Sequence, residues 1–579
     1  MKTKLCITII LLTLYFSVYE KANAQSPNWL WAKSIGGTGD DLGSSIAIDV
    51  SGNVYTTGYF EGTVDFDPDL LGNFNLTSAG GSDIFISKLD GSGNFVWAVA
   101  MGGIDYDDGT SIITDASGNV YTIGYFEGTV DFDPGVGIFN LTSVSGTVFV
   151  SKLDSSGNFV WAKAMGGTSS AYCSSIVLDT AVSGNIYITG LFFWTVDFDP
   201  GAGIFNLTAA GASGYSDIFI SKLDSSGNFL WAKRMGGAGG SNDAGQSIAL
   251  DPSGNGDVYT TGYFIGTVDF DPGPATFNLS GSGCFISKLD ASSNFVWAKA
   301  MGGSSGNYIA LDPAGSGAVY TTGNFNGSVD FDPGTGVFNL TSAGNADIFI
   351  SKLDNSGNFV WAKKMGGTNS DVGYSIALDL AVSGDVYTTG TFEGTADFDP
   401  NAGVFNLTSA GYRDIFISKL DSSGNFVWAK RIGGTSFDDV LSIALDASGN
   451  VHVSGSFSSP SITFGSNFLT NADNTGNTAD IFIVKLDALT GIESVENNNN
   501  GISVYPNPFT NFTTLELSDK FISENTECKI YNVMGKMVSI YKIKNRETII
   551  GRGNLSSGIY FYRVLRDEGV IVCGRLILE

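Results

Sequence analysis

The chain has 579 residues and a formal net charge of −28, from 30 Lys and Arg against 58 Asp and Glu. So acidic a body repels nucleic acid and anionic lipid. A single histidine excludes zinc sites built on two or three imidazoles, and five cysteines are too few for a disulfide-built fold.

Residues 1–24 read as a secretory signal. Lys2 and Lys4 precede the apolar run Leu5–Phe16, and Ala22-Asn23-Ala24 stands before Gln25. The run is too short to span a bilayer. No later segment reaches 18 apolar residues, so the mature chain is expected to have no membrane span. It is expected to be secreted, or held at the outer-membrane surface, after signal-peptide export to the periplasm.

Residues 25–490 are repetitive. Trp31, Trp97, Trp161, Trp231, Trp297, Trp361 and Trp428 stand 66, 64, 70, 66, 64 and 67 residues apart. A period of this length marks a repeat architecture. Two other phrases also recur seven times. One is Asp-x-x-Gly-Asn-Val-Tyr-Thr-Thr-Gly, with Tyr55, Tyr121, Tyr187, Tyr259, Tyr320, Tyr387 and finally His452 in its aromatic slot. The other is Asp-Ile-Phe-Ile-Ser-Lys-Leu-Asp, centred on Phe85 and its equivalents. A third, Val-Asp-Phe-Asp-Pro followed by Phe-Asn-Leu-Thr, occurs six times. The last copy reads Ser-Ile-Thr-Phe-Gly-Ser at 461–466 instead.

Within one repeat, runs rich in β-branched and aromatic residues predict strands at Ser44–Asp49, Val54–Phe60, Ile84–Leu89 and Phe95–Val99. Asp-Val-Ser-Gly-Asn at 49–53 and Asp-Gly-Ser-Gly-Asn at 90–94 predict hairpin turns. Asp bonds its own backbone there, and Gly and Asn tolerate positive φ. Four antiparallel strands repeated seven times predict an all-β fold, a seven-bladed β-propeller. The seventh copy stops at Ile481–Asp487 without a Phe-Val-Trp-Ala-Lys strand. The mature N-terminus begins with one, Asn28–Lys33, which is expected to complete the last blade and remove an open edge. Residues 375–379, 386–390, 414–421 and 428–434 carry a pattern that resembles the bacterial seven-bladed β-propeller repeat. That resemblance implies the fold and no particular reaction.

Residues 491–501, ending Asn497-Asn498-Asn499-Asn500-Gly501, read as a polar linker. The charge changes there: 25–497 hold 17 basic and 49 acidic residues, whereas 498–579 hold ten and eight. In 502–579, Val504-Tyr505-Pro506-Asn507-Pro508-Phe509, Lys529–Val538 and Leu555–Val564 predict a small C-terminal β-sandwich. Cys528 and Cys573 lie in this segment, either paired or as two thiols. The three phrases in this order resemble the type A C-terminal sorting domain of the type IX secretion system of Bacteroidota. The resemblance implies the type IX secretion machinery as the partner of 502–579, and surface attachment or release of the protein.

No phosphate-binding loop or Gly-x-Ser-x-Gly elbow appears. His452 occupies an aromatic slot and reads as a substitution there, not as a catalytic base. Six carboxylate pairs, Asp65/Asp67, Asp131/Asp133, Asp197/Asp199, Asp269/Asp271, Asp330/Asp332 and Asp397/Asp399, stand two apart and so share a face. With Asn75 and Thr77 opposite, they read as the wet side of an extra hairpin. They are also the candidate Ca²⁺ ligands of this chain, and no other cofactor is implied. Six equivalent copies argue against a glycosidase pair, which needs one asymmetric site. The Asn-Leu-Thr/Ser triplets at Asn75, Asn140, Asn206, Asn278, Asn339 and Asn406 belong to the same hairpins. The reading is a non-catalytic binding or adhesion module for an extracellular glycan or protein. A calcium-dependent carbohydrate- or matrix-binding lectin and an extracellular polysaccharide- or protein-processing enzyme are the alternatives. Trp194, Arg413, Cys173 and His452 break the repeat and are the residues around which one asymmetric site would form.

Overall fold

The computed structural model describes residues 27–578 apart from 70–71, 180–182, 212–213, 380–383, 466, 474, 488–501, 506, 519–520, 524–525, 533–535, 554 and 567–568, and omits the side chains of 502 and 569–575. The signal segment 1–24 and the linker 491–501 therefore lie outside the described residues. The chain divides into two compact units, one spanning Ser26–Leu489 and the other containing Thr490–Glu579.

The larger unit is built of strands. After β1 (Trp29–Ile35), the first repeat forms β2 (Leu42–Ile48), β3 (Val54–Phe60), β4 (Thr63–Asp65), β5 (Asn75–Thr77), β6 (Asp83–Leu89) and β7 (Phe95–Met101). β2, β3, β6 and β7 make one antiparallel sheet in that order, and β4 and β5 pair as a separate hairpin. The same four-stranded order recurs in sheets that begin at Asp108–Thr114, Ala171–Leu178, Ala244–Leu250, Ser304–Leu311 and Val372–Leu378. The sheet beginning at Asp438–Leu445 takes β1 as its fourth strand. Ala32 stands opposite Val484, and Ile35 opposite Ile481. The fold is all-β and propeller-like.

Local chemistry explains the repeat. At the β2–β3 turn, Asp49 Oδ1 accepts the backbone N–H of Ser51 at 2.8 Å and of Asn53 at 2.9 Å. Gly52 supplies the required φ of 81°. Gly58 is needed because a Cβ there would overlap the carbonyl oxygen of Leu42.

The core sits between neighbouring sheets. Tyr55, Ile84, Ile86 and Met101 of the first repeat pack against Ile112, Val120, Phe126, Phe132 and Phe149 of the second. Ile481 and Ile483 pack in the same way against Ile46, Val54, Phe60 and Phe85. The first strand of each sheet touches that of the next, and Asp438–Leu445 touches β2.

The seventh copy lacks the Val-Asp-Phe-Asp-Pro phrase but still forms the hairpin, pairing Ser461–Phe464 with Asn467–Thr470. Ile462 and Phe464 are as fully buried as Val64 and Phe66. The apolar pair makes the hairpin, and its carboxylates are dispensable for that.

In the smaller unit, Ile502–Tyr505, Phe512–Leu517 and Glu547–Gly551 form one sheet. Met537–Lys542, Thr526–Asn532, Gly558–Arg566 and Gly569–Leu578 form a second. Phe509, Leu515, Leu517, Cys528, Ile530, Val564 and Leu576 make its core. Cys528 is a buried free thiol whose pKa burial pushes up to about 12. The side chain of Cys573 lies outside the described residues.

Candidate functional site

The six carboxylate pairs lie in the hairpins, as their spacing requires. Asp65 Oδ1 accepts the N–H of Asp67 at 3.1 Å and of Phe74 at 2.7 Å. Asp67 Oδ1 accepts the N–H of Asp69 at 3.1 Å. The pattern repeats. Asp131 binds the amides of Asp133 and Phe139, Asp197 those of Asp199 and Phe205, and Asp269 those of Asp271 and Phe277. Asp330 binds those of Asp332 and Phe338, and Asp397 those of Asp399 and Phe405. The second member caps the tip: Asp133, Asp199, Asp271 and Asp332 take the amides of Gly135, Gly201, Gly273 and Gly334, and Asp399 that of Asn401. In every pair, one oxygen of each carboxylate thus closes its own loop. Among the described residues, no three His, Cys, Asp or Glu side chains gather into a metal-holding group.

Beside each tip capped by Gly or Asn an apolar side chain faces solvent, including Ile138, Ile204, Val337 and Val404. A cleft of about 280 Å³ runs between two hairpins, lined by Phe205, Leu207, Lys233, Arg234, Asp269 and Asp271.

His452 is fully buried, with Nε2 at 3.3 Å from Asp446 Oδ2. Tyr55 makes the same contact to Asp49 at 3.0 Å. Trp31 meets the His452 ring edge-on at 5.9 Å, as Trp97 meets Tyr55 at 6.1 Å. Lys485 Nζ adds an ion pair to Asp446 at 3.0 Å, where Lys88 lies over the Tyr55 ring. Burial holds the imidazole pKa below its ordinary value. The ring has taken over the tyrosine's structural place.

The other repeat-breaking residues are scattered. Cys173 is buried at a glycine position and donates from Sγ to the carbonyl of Gly124 at 3.1 Å; burial raises its pKa to about 12. Arg413 pairs with Asp439 at 2.6 Å and lies over Phe437, on which Tyr412 stacks. Trp194 is 54% exposed and has a φ of 57°. It stands where other hairpins place Gly62, Gly128 and Gly394, also at positive φ. A tryptophan held in this region stores strain of about 1–2 kcal/mol. The structure does not bring these four residues together into one pocket.

Sequence reasoning passed over a second set of carboxylates, at the junctions between sheets. Asp41 is fully buried; it accepts the N–H of Gly37 at 2.7 Å and of Glu61 at 3.1 Å. Asp107, Asp371 and Asp438 cap Gly103, Gly367 and Gly434 in the same way. Asp243 is the fifth of this class, bound to the amide of Ile265. The other carboxylate of each junction opens the Asp-Ile-Phe-Ile strand: Asp83, Asp217, Asp347, Asp414 and Asp480, each at most 3% exposed. A Cβ on the first glycine of the Gly-Gly turn, Gly36, Gly102, Gly236, Gly366 or Gly433, would overlap or crowd this carboxylate. The glycine pairs, which read as plain turns, are the room these buried acids need. Burial, with the neighbouring acid adding to it, raises the pKa of Asp41 to about 8 and of Asp107 to about 7.

Residues 503–579 match the family model described as a secretion system C-terminal sorting domain. The chain therefore carries a type IX sorting tail, which implies engagement with that machinery and export to the cell surface or beyond. Among curated proteins, it is 25% identical over 517 residues to an uncharacterized WD repeat-containing protein, L264, of Acanthamoeba polyphaga mimivirus, covering 75% of this chain and 36% of that one. It is 26% identical over 139 residues to the regulatory protein FlaEY of Caulobacter vibrioides, covering 24% and 14%. The chain thus spans about a third or less of the length of these relatives. Among solved structures, it is similar to Sqt1 from Chaetomium thermophilum, with 10% identity, a TM-score of 0.35, and 80% and 99% of the two chains covered. PorZ of Porphyromonas gingivalis, a surface component of the type IX secretion system, gives 11% identity, a TM-score of 0.15, and 95% and 100% coverage. No helix among the described residues is long and apolar enough to cross a membrane.

Proposed function

We propose that residues 25–490 are a closed seven-bladed β-propeller that acts as a non-catalytic binding or adhesion module. A Bacteroidota-type cell displays it at the surface or releases it through the sorting tail 502–579. The observation that carries this reading is the hairpin: one solvent-facing element, built the same way in repeat after repeat, with apolar residues such as Ile138, Ile204, Val337 and Val404 exposed beside the tip. A ring of like elements suits a repetitive extracellular ligand, because several weak contacts on one scaffold gain from effective concentration.

Trp194 favours a glycan or peptide ligand. Its exposed ring offers a stacking face, and strained backbone concentrates at functional sites. The test is a glycan and matrix-protein array probed with the full chain, with its Trp194→Gly variant, and with calcium present or chelated. The proposal expects ligand-specific binding that Trp194→Gly weakens at least fivefold while the protein remains folded. Absence of binding to every extracellular polymer, together with turnover of one of them, would replace it with the enzyme reading.

A further inference from the structure

The five junctions that carry both carboxylates are not equivalent, and the repeat itself supplies the comparison. Three residues after the tryptophan, the strand leading into the Gly-Gly turn carries a side chain opposite the phenylalanine of Asp-Ile-Phe-Ile. At three junctions that residue is a cation. Arg234 lies 3.1 Å from Asp217, Lys364 3.4 Å from Asp347, and Arg431 2.5 Å from Asp414. Two other junctions have lost both acids, to Thr147 and Ala171 in one and to Gly283 and Ser304 in the other. There the same position holds Ala164 and Ala300.

The remaining two junctions keep both acids and lack the cation. Asp83 and Asp107 go with Ala100, and Asp480 and Asp41 go with Ser34. Among the described residues, no Lys or Arg pairs with any of these four aspartates. Asp83 and Asp480 are 3% and 2% exposed, and the Oδ1 of each is buried without a hydrogen-bond partner, as it also is in Asp347 and Asp414, whose cations take the other oxygen. A buried, uncompensated carboxylate is costly and calls for a proton or a cation. The negative charge of Asp105, Asp40 and Asp473 also acts on Asp107, Asp41 and Asp480, although, among the described residues, these acids do not join them in a cluster.

We propose that these two junctions each bind a divalent cation of the calcium class, one through Asp83 and Asp107 and the other through Asp480 and Asp41, in the place that a guanidinium or ammonium group fills in the sibling junctions. Carboxylate and carbonyl oxygens suit such a hard ion, and water completes its shell. The side chains of Arg234, Lys364 and Arg431 are 34%, 37% and 35% exposed, so the cationic position opens to solvent and an ion can exchange there. These sites are distinct from the six hairpin pairs.

The test is calorimetric titration of the EGTA-treated full chain with calcium chloride at pH 8, alongside thermal melts with sodium at matched ionic strength. The expected stoichiometry is two, with a calcium-specific rise in Tm. Ala100→Arg should leave one site, and Ala100→Arg with Ser34→Arg should leave none. Arg431→Ala should add a third, which keeps the test decisive if the arginine insertions fail to fold. No calcium uptake would overturn the proposal. So would a stoichiometry unchanged by these variants, and so would uptake lost only when the hairpin pairs such as Asp65 and Asp67 become Asn.

Discussion

At position 452 a histidine does the work of six tyrosines. Its ring fills the slot beside Trp31 and keeps the contact to Asp446 that Tyr55 makes to Asp49. His452→Tyr should therefore be tolerated, within about 0.5 kcal/mol of the parent. His452→Phe keeps the volume but removes one of the partners of the buried Asp446 carboxylate, leaving Lys485 and Asn450. That should cost about 1–3 kcal/mol, read as a shift in the denaturant midpoint. This role was legible in the sequence, because the repeats align and the slot is aromatic in each. The junction acids were not. Asp41 and Asp107 sit next to glycines and look like turn residues, and Asp83 looks like the start of a strand. Their partnership crosses from one repeat to the next. It is signalled only by Arg234, Lys364 and Arg431 appearing where both acids occur.

The hairpin shows how an element can keep its shape while its polar side changes. Val64 and Phe66 are fully buried, as are Ile462 and Phe464 in the seventh copy, which has Thr463 and Gly465 in place of the two acids. The alternation of apolar and polar residues announced this element, and the structure places it where the alternation implies. What the spacing did not reveal is that one oxygen of each acid is committed to backbone amides. Asp65→Ala strands the amides of Asp67 and Phe74 without their acceptor and should cost about 1–2 kcal/mol. Asp65→Asn retains an acceptor oxygen and should cost less than half of that. Equal losses in urea unfolding would show that the charge, and not the hydrogen-bond geometry, matters here.

Across the larger unit, the junction acids link stability to pH. Burial raises Asp41 from 3.8 to about 8, Asp107, Asp243, Asp371 and Asp480 to about 7, and Asp83 and Asp438 to about 6. Raised carboxylate values mean that the folded state holds protons that the unfolded state has released. Their contribution is complete below pH 4 and is lost as pH rises to about 8. In EGTA the Tm should fall steadily from pH 5 to pH 8. Turn acids such as Asp49 and Asp446 shift the other way: hydrogen bonds outweigh the opposing effect of partial burial, and their contribution is lost below pH 4. A Tm that instead rises steadily from pH 5 to 8 would mean that the junction acids are ionised in the folded protein.

The closed ring proposed for the larger unit depends on its seam. There β1 pairs with Asp480–Leu486, Trp31 donates to the carbonyl of Gly91 at 3.3 Å, and Asp480 and Asp41 meet. The proposed display of hairpins around a ring and one of the two proposed cation sites both require that seam to be closed by the N-terminal strand. The most direct test deletes Trp29–Ile35 and follows melting and oligomeric state. A ring closed by β1 predicts a clear fall in Tm and association through the unpaired edge of Asp480–Leu486, both reversed by a synthetic peptide of residues 27–37 added in trans. A deletion variant that stays monomeric and melts with the parent would contradict it.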